Sequence, residues 1–520
     1  MKATCILPFL STMEPCCNGD ETLFCAENRW KGPLKMANRM AVLASGNWHR
    51  VLIISAVLLV PCFWHKPLLA GDLGSHVYNA WLAQLTTRGQ APGLWISAQW
   101  TNILFDWILS GLASVLPIRS AGKLAASLTV LLFFWGTFSF VSVASKRLAW
   151  TMTPLLAMAT FGWTYQKGLV NFYLSLGLAF AELAFFWSQK GWRRIVPIIL
   201  SPIIAAAHPF GFAWFACAAA YIKIGEIVPR RFYYLIVTAS AGILAIVRWS
   251  LLRHYRVEAP AHSVLFLNGF DQVVLTKWYT VPMAGLILLF VTSVGQDVRG
   301  STGESNHLDG RLILLQLYLI VEACIFLMPD AIYLPQFAGP ISRVAERTTT
   351  ISAVLLCGLI VGERERRWQF PALLGVSIVF FALLYNDTAK QSRMEQEMER
   401  LTRTVAAGER VLVTIRQPRE YRFSTEHLLD EACIGHCFAY GNYEPASTQF
   451  RVRALHGNRI VSSDVEQVAA MERGEYVVQP EDLPAYKIYQ CGPTWMALCI
   501  HPLQAGERND GLGNPLWPHR

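Results

Sequence analysis

The sequence predicts a mainly α-helical membrane bundle with a small α+β domain at its C-terminal end. Of its 520 residues 53% are hydrophobic and only 16% are charged, whereas soluble domains carry about 25% charged residues. The apolar residues are clustered in runs such as 51–63, 124–143 and 312–328, which are too long for ordinary core helices. Because a backbone in lipid must satisfy its own hydrogen bonds, we expect these runs to be helices.

The basic residues indicate how the bundle is oriented. They form short clusters between apolar runs, at 146–147, 190–194, 230–231, 299–311 and 363–367. Although the net charge is +9, this distribution is typical of cytoplasmic loops and argues against nucleic-acid binding. It predicts a cytoplasmic N-terminus, an extracytoplasmic tail and about 11 spans. The expected spans are 50–65, 121–145, 148–163, 169–188, 195–207, 210–225, 232–252, 279–295, 312–328, 348–361 and 370–385.

The chain divides into three parts. Residues 1–48 are expected to be a disordered cytoplasmic segment, 49–386 a transmembrane domain whose first outer loop is 66–101, and 387–520 an extracytoplasmic α+β domain. Segment 102–117 is apolar but carries Asp106, and counting it as a span would place every later basic cluster outside. We therefore interpret it as a re-entrant or interfacial segment. The alternative is that this segment is a span and that one further span elsewhere in the chain has been missed.

Short elements are expected within the C-terminal part. Residues 390–406 look like a charged helix and 425–433 like a short helix. The segments 410–415, 450–454, 486–490 and 495–500 look like strands, because apolar residues alternate or β-formers are enriched there.

The most informative stretch directly follows the first apolar run. Gly71 and Gly74 flank Asp72 and allow tight backbone geometry. An amphipathic helix is expected from about residue 75 to 88, lying in the membrane interface. This arrangement holds Asp72 at the membrane surface, where a carboxylate can act as a general base on a hydroxyl, with His76 four residues later. The alternative is that Asp72 only caps the helix.

The arrangement resembles the GT-C superfamily of polyprenyl-phosphate-sugar-dependent integral membrane glycosyltransferases. The residues that carry the resemblance are Asp72 and His76 in Gly-Asp-x-x-x-His, then the helix to Arg88 and segment 89–93, which leads into a second amphipathic stretch. Segments 168–172 and 207–211 also look like segments of uncharacterised bacterial membrane proteins of this kind. The resemblance covers roughly residues 50–385. The chain departs from many relatives because Leu73, not a second acidic residue, follows Asp72. Asp106 is a candidate for that second carboxylate.

The resemblance implies a function. The chain would transfer a sugar from a polyprenyl-phosphate donor to a lipid, glycan or protein acceptor at the outer face of a bacterial inner membrane. Asp72 and His76 would be catalytic. The expected substrate-binding residues are Tyr78, Asn102, Asp106, Asn171, His208, Arg253, Arg256, Lys277, Arg343 and Arg347. The basic ones lie in predicted outer loops, against the usual charge bias, and ordinary lipid-headgroup contact is the alternative.

Cofactors and disulfides complete the expectations. No cofactor and no metal site are evident, although a divalent metal stays open. Cys433, Cys437, Cys491 and Cys499 lie in the predicted extracytoplasmic part and are disulfide candidates whose pairing the sequence leaves open. A transporter or lipid flippase that uses Glu182 and Glu322 as switch residues is the alternative function, and the lack of an inverted repeat makes it the less favoured one.

Overall fold

The computed structural model describes residues 47–510, except 67, 69, 230–231, 260–268, 299–309, 362–366, 416–422, 424, 426, 493 and 495. The predicted N-terminal segment 1–48 therefore lies almost wholly outside the described residues. The described part is mostly helical, as predicted, and strands are concentrated towards the C-terminal end.

The helices follow the apolar runs. They are α1 Trp48–Phe63, α2 Leu73–Thr87, α3 Leu104–Ala113, α4 Ile118–Ala144, α5 Thr153–Thr160, α6 Trp163–Gln166, α7 Val170–Ser188, α8 Ile195–Ala207, α9 Pro209–Ile227, α10 Tyr233–His254, α11 Thr280–Val298, α12 Gly310–Leu327, α13 Val344–Ile360, α14 Gln369–Thr402, α15 Leu428–Cys433, α16 Glu444–Ser447 and α17 Val465–Arg473.

The strands form three small sheets. They are β1 Leu94–Ile96, β2 Arg256–Glu258, β3 Ala331–Tyr333, β4 Arg410–Thr414, β5 Phe438–Ala439, β6 Val452–Ala454, β7 Ala485–Gln490 and β8 Leu498–Pro502. One sheet has the order β5-β4-β7-β8, with β4 parallel to both of its neighbours and β7 antiparallel to β8. The pairs β1-β6 and β2-β3 are antiparallel.

The number of membrane spans differs from the expectation. Among the described residues six helices are long and apolar enough to cross a membrane: α4, α7, α9, α10, α12 and α14. The expected count of about 11 is not confirmed, because several apolar runs form helices that are too short. At 1.5 Å per residue the eight residues of α5 reach about 12 Å, against a hydrocarbon core of about 30 Å.

Segment 102–117 contains the ten-residue helix α3, which is about 15 Å long and does not cross a bilayer by itself. This length agrees with a re-entrant or interfacial segment. The backbone N–H of Ile103 donates to the carbonyl oxygen of Ala206 at 3.0 Å, so the start of α3 is attached to the end of α8.

The centre of the bundle is the crossing of α4 and α7. A Cβ on Gly136 of α4 would clash with the carbonyl oxygen of Gly177 on α7, and a Cβ on Gly177 would lie 2.8 Å from the backbone of Phe133. Small residues at a crossing let two helix backbones approach closely. Phe133 and Tyr173 stack beside this point with ring centroids 4.1 Å apart. Helices α4 and α7 therefore pack closely in the buried interior of the bundle.

The tail, defined here as residues 387–520, packs directly on the first loop, residues 66–101. Strand β1 of the first loop pairs with β6 of the tail, with Leu94 opposite Ala454. Leu82 of α2 shares one buried hydrophobic cluster with residues of the tail such as Val411. In addition, α14 runs without interruption through the expected boundary at 386/387. The bundle and the tail are therefore joined by a common core and a continuous helix.

Candidate functional site

A cavity of about 810 Å³ lies where the segments around α2, α7, α9 and α13 meet the tail. Many of the residues predicted to form a site line it together. They are Asp72, His76, Asn102, Asn171, His208, Arg343 and Arg347. Asp106 lies directly behind two of them and bonds to both. The fold thus gathers residues from distant parts of the chain around one space.

Backbone packing sets the position of Asp72. Its N–H donates to the carbonyl oxygen of Lys167 at 3.0 Å. Gly71 and Gly168 both have positive φ, of 39° and 72°, and a Cβ on either would clash with the backbone of the facing segment. The predicted tight geometry at Gly71 is therefore real. Glycine lets the turn before α2 lie directly against the start of α7.

Asp72 does not cap α2 with its side chain. It is the residue before the helix, but it makes no side-chain capping hydrogen bond. The capping interpretation is therefore wrong. Its carboxylate is 20% exposed and lines the cavity, with Oδ1 lying 3.5 Å from Nε2 of His427. The carboxylate is thus accessible to a ligand in the cavity.

His76 bonds to Asp106 and not to Asp72, the partner suggested by their spacing. Nδ1 of His76 lies 2.9 Å from Oδ1 of Asp106, and the other oxygen of Asp106 accepts from the side-chain amide of Asn171 at 2.9 Å. This pairing arises because α3 folds back against α2, which sequence spacing along α2 does not show. Glu444 of the tail lies 3.9 Å from the same His76 nitrogen.

The carboxylates around His76 control its charge. Burial by itself would lower the pKa of His76, but Asp106 and Glu444 outweigh burial and raise it to about 9. His76 is therefore an imidazolium at neutral pH. Burial raises the pKa of Glu444 to about 7, and the positive His76 opposes that rise.

The opposite wall of the cavity is positive. Nη1 of Arg347 lies 2.9 Å from Nε2 of His208, which must accept because a guanidinium only donates. The guanidinium also stands over the ring of Phe172, with 5.5 Å to the ring centroid. Nε of Arg347 is buried and has no hydrogen-bond partner among the described residues. Arg343 precedes α13 in a left-handed conformation, with φ of 61°, an uncommon state for arginine.

The two walls interact across the cavity. The negative charge of Asp72 acts on Arg347, and Asp330 acts on both arginines. A ligand with an anionic group on one side and a hydroxyl group on the other would find complementary partners here. Arginine binds phosphate oxygens through paired charge-assisted hydrogen bonds, and a carboxylate accepts a hydroxyl proton.

Besides Asp106, which lies behind the lining, four predicted binding residues do not line this cavity. Tyr78 is fully buried, and its hydroxyl accepts a hydrogen bond from the backbone N–H of Ala439 at 2.9 Å, so it joins α2 to the tail. Arg256 lies on β2, with 4.6 Å to the ring centroid of Tyr333. Arg253 and Lys277 are exposed and also lie outside the lining. The three basic residues therefore stay predictions that this cavity does not support.

The tail contributes site residues that the sequence reasoning missed. His427, Tyr443 and Phe450 line the cavity, and Asp430 bonds to His427. His427 lies close in sequence to Cys433 and Cys437, but nothing in that stretch connects it with the first loop. Hydrophobic periodicity relates only neighbouring residues, so the sequence could not predict that these tail residues contact the first loop.

The cysteines of the tail are paired as neighbours. Cys433 is bonded to Cys437 and Cys491 to Cys499. Among the described residues there is no group of three or more His, Cys, Asp or Glu side chains suited to a metal ion. The first disulfide closes the turn after α15, the helix that follows His427.

Comparisons with protein-family models, with curated proteins and with solved structures find no match to this chain in any of the three. The fold is mostly helical, and the described part of the chain contains six candidate membrane-spanning helices.

Proposed function

We propose that this chain is a membrane glycosyltransferase that moves a sugar from a polyprenyl phosphate to an acceptor hydroxyl, with Asp72 as the general base. The observation that carries the proposal is the cavity in which Asp72 faces Arg343, Arg347 and His208. The resemblance to the GT-C superfamily supports the same assignment, since it rests on the segments that contain Asp72 and His208.

The proposed chemistry uses both walls of the cavity. The acceptor oxygen attacks the anomeric carbon of the sugar while Asp72 takes the hydroxyl proton. The bond between that carbon and the phosphate oxygen breaks, and the phosphate keeps the electron pair. Arg343 and Arg347 stabilise the negative charge that develops on the leaving phosphate.

Asp72 is preferred to Asp106 as the base because their hydrogen-bonding states differ. Both oxygens of Asp106 accept hydrogen bonds, one from His76 and one from Asn171. Asp72 lines the cavity, and Nε2 of His427 lies 3.5 Å from its Oδ1. A general base must have a lone pair within reach of the proton it removes. In this scheme His76 and Asn171 hold Asp106 as a fixed charge beside the reaction.

The proposal extends to location and partners. The six candidate spans and the basic clusters between apolar runs support a multi-pass protein of a bacterial inner membrane. We also propose that the N-terminus is cytoplasmic and that the cavity and the tail lie on the periplasmic side. Its partners would be membrane lipids, a polyprenyl-phosphate-linked sugar and a lipid, glycan or protein acceptor.

The proposal is tested with purified full-length protein and labelled polyprenyl-phosphate sugars. Asp72→Asn should lower transfer by about 10²–10⁴-fold, the usual contribution of a general base, while expression and thermal unfolding stay close to wild type. Asp464→Asn is the matched control, because Asp464 is exposed and asparagine is also a good helix cap. Full activity of Asp72→Asn would overturn the mechanism.

The positive wall has a test of its own. Replacing Arg343 or Arg347 with Gln should weaken binding of the donor and of the released polyprenyl phosphate by about 10–100-fold, because each loses a charge-assisted hydrogen bond worth about 1.5–3 kcal/mol. Arg400→Gln is the control, since Arg400 is exposed and pairs with Glu397. Unchanged donor KM and product inhibition in both variants would argue against a phosphate site here.

The alternative of a transporter or lipid flippase receives less support. It needs Glu182 and Glu322 as switch residues, and neither lines the cavity. Glu322 accepts a hydrogen bond from the hydroxyl of Ser352 at 2.8 Å, as expected for a structural pair between α12 and α13. Lipid movement in reconstituted vesicles without any sugar transfer would favour this alternative.

A further inference from the structure

The segment before α15 is packed against the start of α2 without space for a side chain between them. A Cβ on Gly74 would lie 2.7 Å from the carbonyl oxygen of His427. This close approach brings the side chain of His427, 8% exposed, to the carboxylate of Asp72. The contact therefore joins the tail to the residue proposed as the general base.

His427 has a defined partner on each ring nitrogen. Nδ1 lies 2.9 Å from Oδ2 of Asp430, which is itself buried, and Nε2 lies 3.5 Å from Oδ1 of Asp72. A carboxylate can only accept, so Nδ1 carries a proton and donates it to Asp430. Nε2 is then the nitrogen that can exchange a proton with Asp72. Asp430 fixes this tautomer, as second partners of functional histidines do.

We infer that His427 of the tail is a positioning residue of the transfer site, whose unprotonated Nε2 faces Asp72 and receives from it the proton of the acceptor hydroxyl. This inference rests on the proposed function. In the step, the acceptor oxygen bonds to the anomeric carbon, the carbon–phosphate oxygen bond breaks, and the phosphate leaves with that electron pair. The hydroxyl proton goes to Asp72 and then to Nε2 of His427. Asp430 stabilises the resulting imidazolium, which returns the proton to water.

The surroundings of His427 are suited to this role. Negative charge lies on two sides, on Asp72 and Asp430, and stabilises the imidazolium that forms when His427 receives the proton. The ring of Tyr443 covers it with centroids 5.3 Å apart. The other titratable and charged groups near this site are Glu444, which interacts with His427, and His76, Arg343 and Arg347, which line the same cavity. The arginines oppose the imidazolium, so the balance depends on both carboxylates.

The first experiment measures the contact without relying on catalysis. Diethyl pyrocarbonate modifies unprotonated imidazole, and mass spectrometry of the peptide containing His427 gives the midpoint pH of modification in full-length protein. Asp72→Asn should lower that midpoint by about 0.7 pH units or more, the shift a unit charge at about 4 Å produces even in water. Asp464→Asn should leave it unchanged. An unchanged midpoint in Asp72→Asn overturns the inference.

The second experiment measures the role in transfer. His427→Gln should lower kcat by about 100-fold, the low end for proton-transfer partners, with donor KM unchanged, and should shift the pH dependence of kcat. His427→Gly should regain part of the loss with added imidazole. His456→Gln, in an exposed histidine of the tail, should behave as wild type. Wild-type rates and pH profile in His427→Gln overturn the inference.

The two proposals can fail separately. If wild type transfers sugar and His427 fails both tests, only the inference about His427 falls. If wild type transfers no sugar from any polyprenyl-phosphate donor, the proposed function falls, and the proton-carrying role falls with it even where the midpoint shift is found. Two measurements on each variant, thermal unfolding and the presence of the Cys433–Cys437 disulfide, identify any variant that has lost its fold.

Discussion

His76 shows how a buried histidine can be kept charged by its neighbours. The cost of burying an imidazolium is offset by Asp106 at 2.9 Å and Glu444 at 3.9 Å. One of these carboxylates comes from α3 and the other from the tail, so the charge of His76 depends on both elements being in place. Glu444 is neutral or charged according to pH near 7, because its pKa is raised to about 7.

These shifts predict how stability changes with pH. The pKa of His76 is raised in the folded chain to about 9, so its contribution is complete below about pH 6.5 and is lost as pH rises through about 9. The pKa of Glu444 is also raised, so the folded chain binds more protons than the unfolded chain between about pH 4.5 and 7. Stability therefore falls over that range too as pH rises. We expect the apparent melting temperature in detergent to fall from pH 6 to pH 9.

A histidine variant isolates the part due to His76. His76→Gln should melt lower than wild type at pH 6 but show a flatter decline between pH 7 and 9, a difference of about 2–3 kcal/mol over that range. His456→Gln should keep the wild-type slope, since that side chain is exposed. A slope in His76→Gln as steep as in wild type would contradict the assignment.

Helix α2 is the element around which the site is built. Its start is held by the turn at Gly71 and Gly168, its face carries His76 towards α3, and Gly74 receives the backbone of His427. The two backbone contacts require glycine, because a Cβ there would clash with the facing backbone. The amphipathic pattern that predicted this helix at an interface also serves to bury it between the bundle and the tail, where Leu82 is fully buried.

Gly74→Ala tests the packing of α2 against α15. The new methyl group would lie 2.7 Å from the carbonyl oxygen of His427, so His427 must move away from Asp72 or the helices must separate. We expect a loss of stability of about 1–3 kcal/mol, as for overpacked cores, and a loss of transfer activity. Gly111→Ala is the control, because a Cβ there meets nothing within 4 Å. Wild-type stability and activity in Gly74→Ala would contradict this account.

The bundle and the tail pack together as one unit, and residues of the tail form part of the cavity wall. Strand pairing between β1 and β6, the hydrogen bond from Ala439 to Tyr78 and the continuous helix α14 all resist separation of the tail from the bundle. A cavity wall that can detach would let water reach the charged groups and weaken their interactions. We therefore expect the tail to stay docked in the protein without ligand.

Engineered cysteines test docking of the tail. Leu94 and Ala454 face each other in an antiparallel pair, where Cα atoms lie about 4.5–5.5 Å apart, within the range for a disulfide. Leu94→Cys with Ala454→Cys should form a bond that protects the protein from unfolding and leaves its activity intact. Leu94→Cys with Leu455→Cys should not, because adjacent residues of a strand point to opposite faces. Absence of the first bond under oxidising conditions would contradict stable docking.

The sequence alone determined the features that depend on local pattern. Long apolar runs predicted a mostly helical chain, and the described helices follow them. Alternation and turn residues placed strands at β4, β6, β7 and β8. Glycines around an acidic residue after the first run pointed to Asp72 and α2. These predictions succeed because hydrophobic periodicity and glycine geometry act over a few neighbouring residues.

Only the tertiary structure decided which groups meet. It paired His76 with Asp106, placed His427 beside Asp72, and buried Tyr78 against Ala439, 361 residues away. It also left α5 too short to be the expected span. Contacts of this kind are set by how whole helices pack and where the chain turns back, which no local repeat encodes. The residue proposed as the base was therefore found in the sequence, and the residues that surround it were found in the fold.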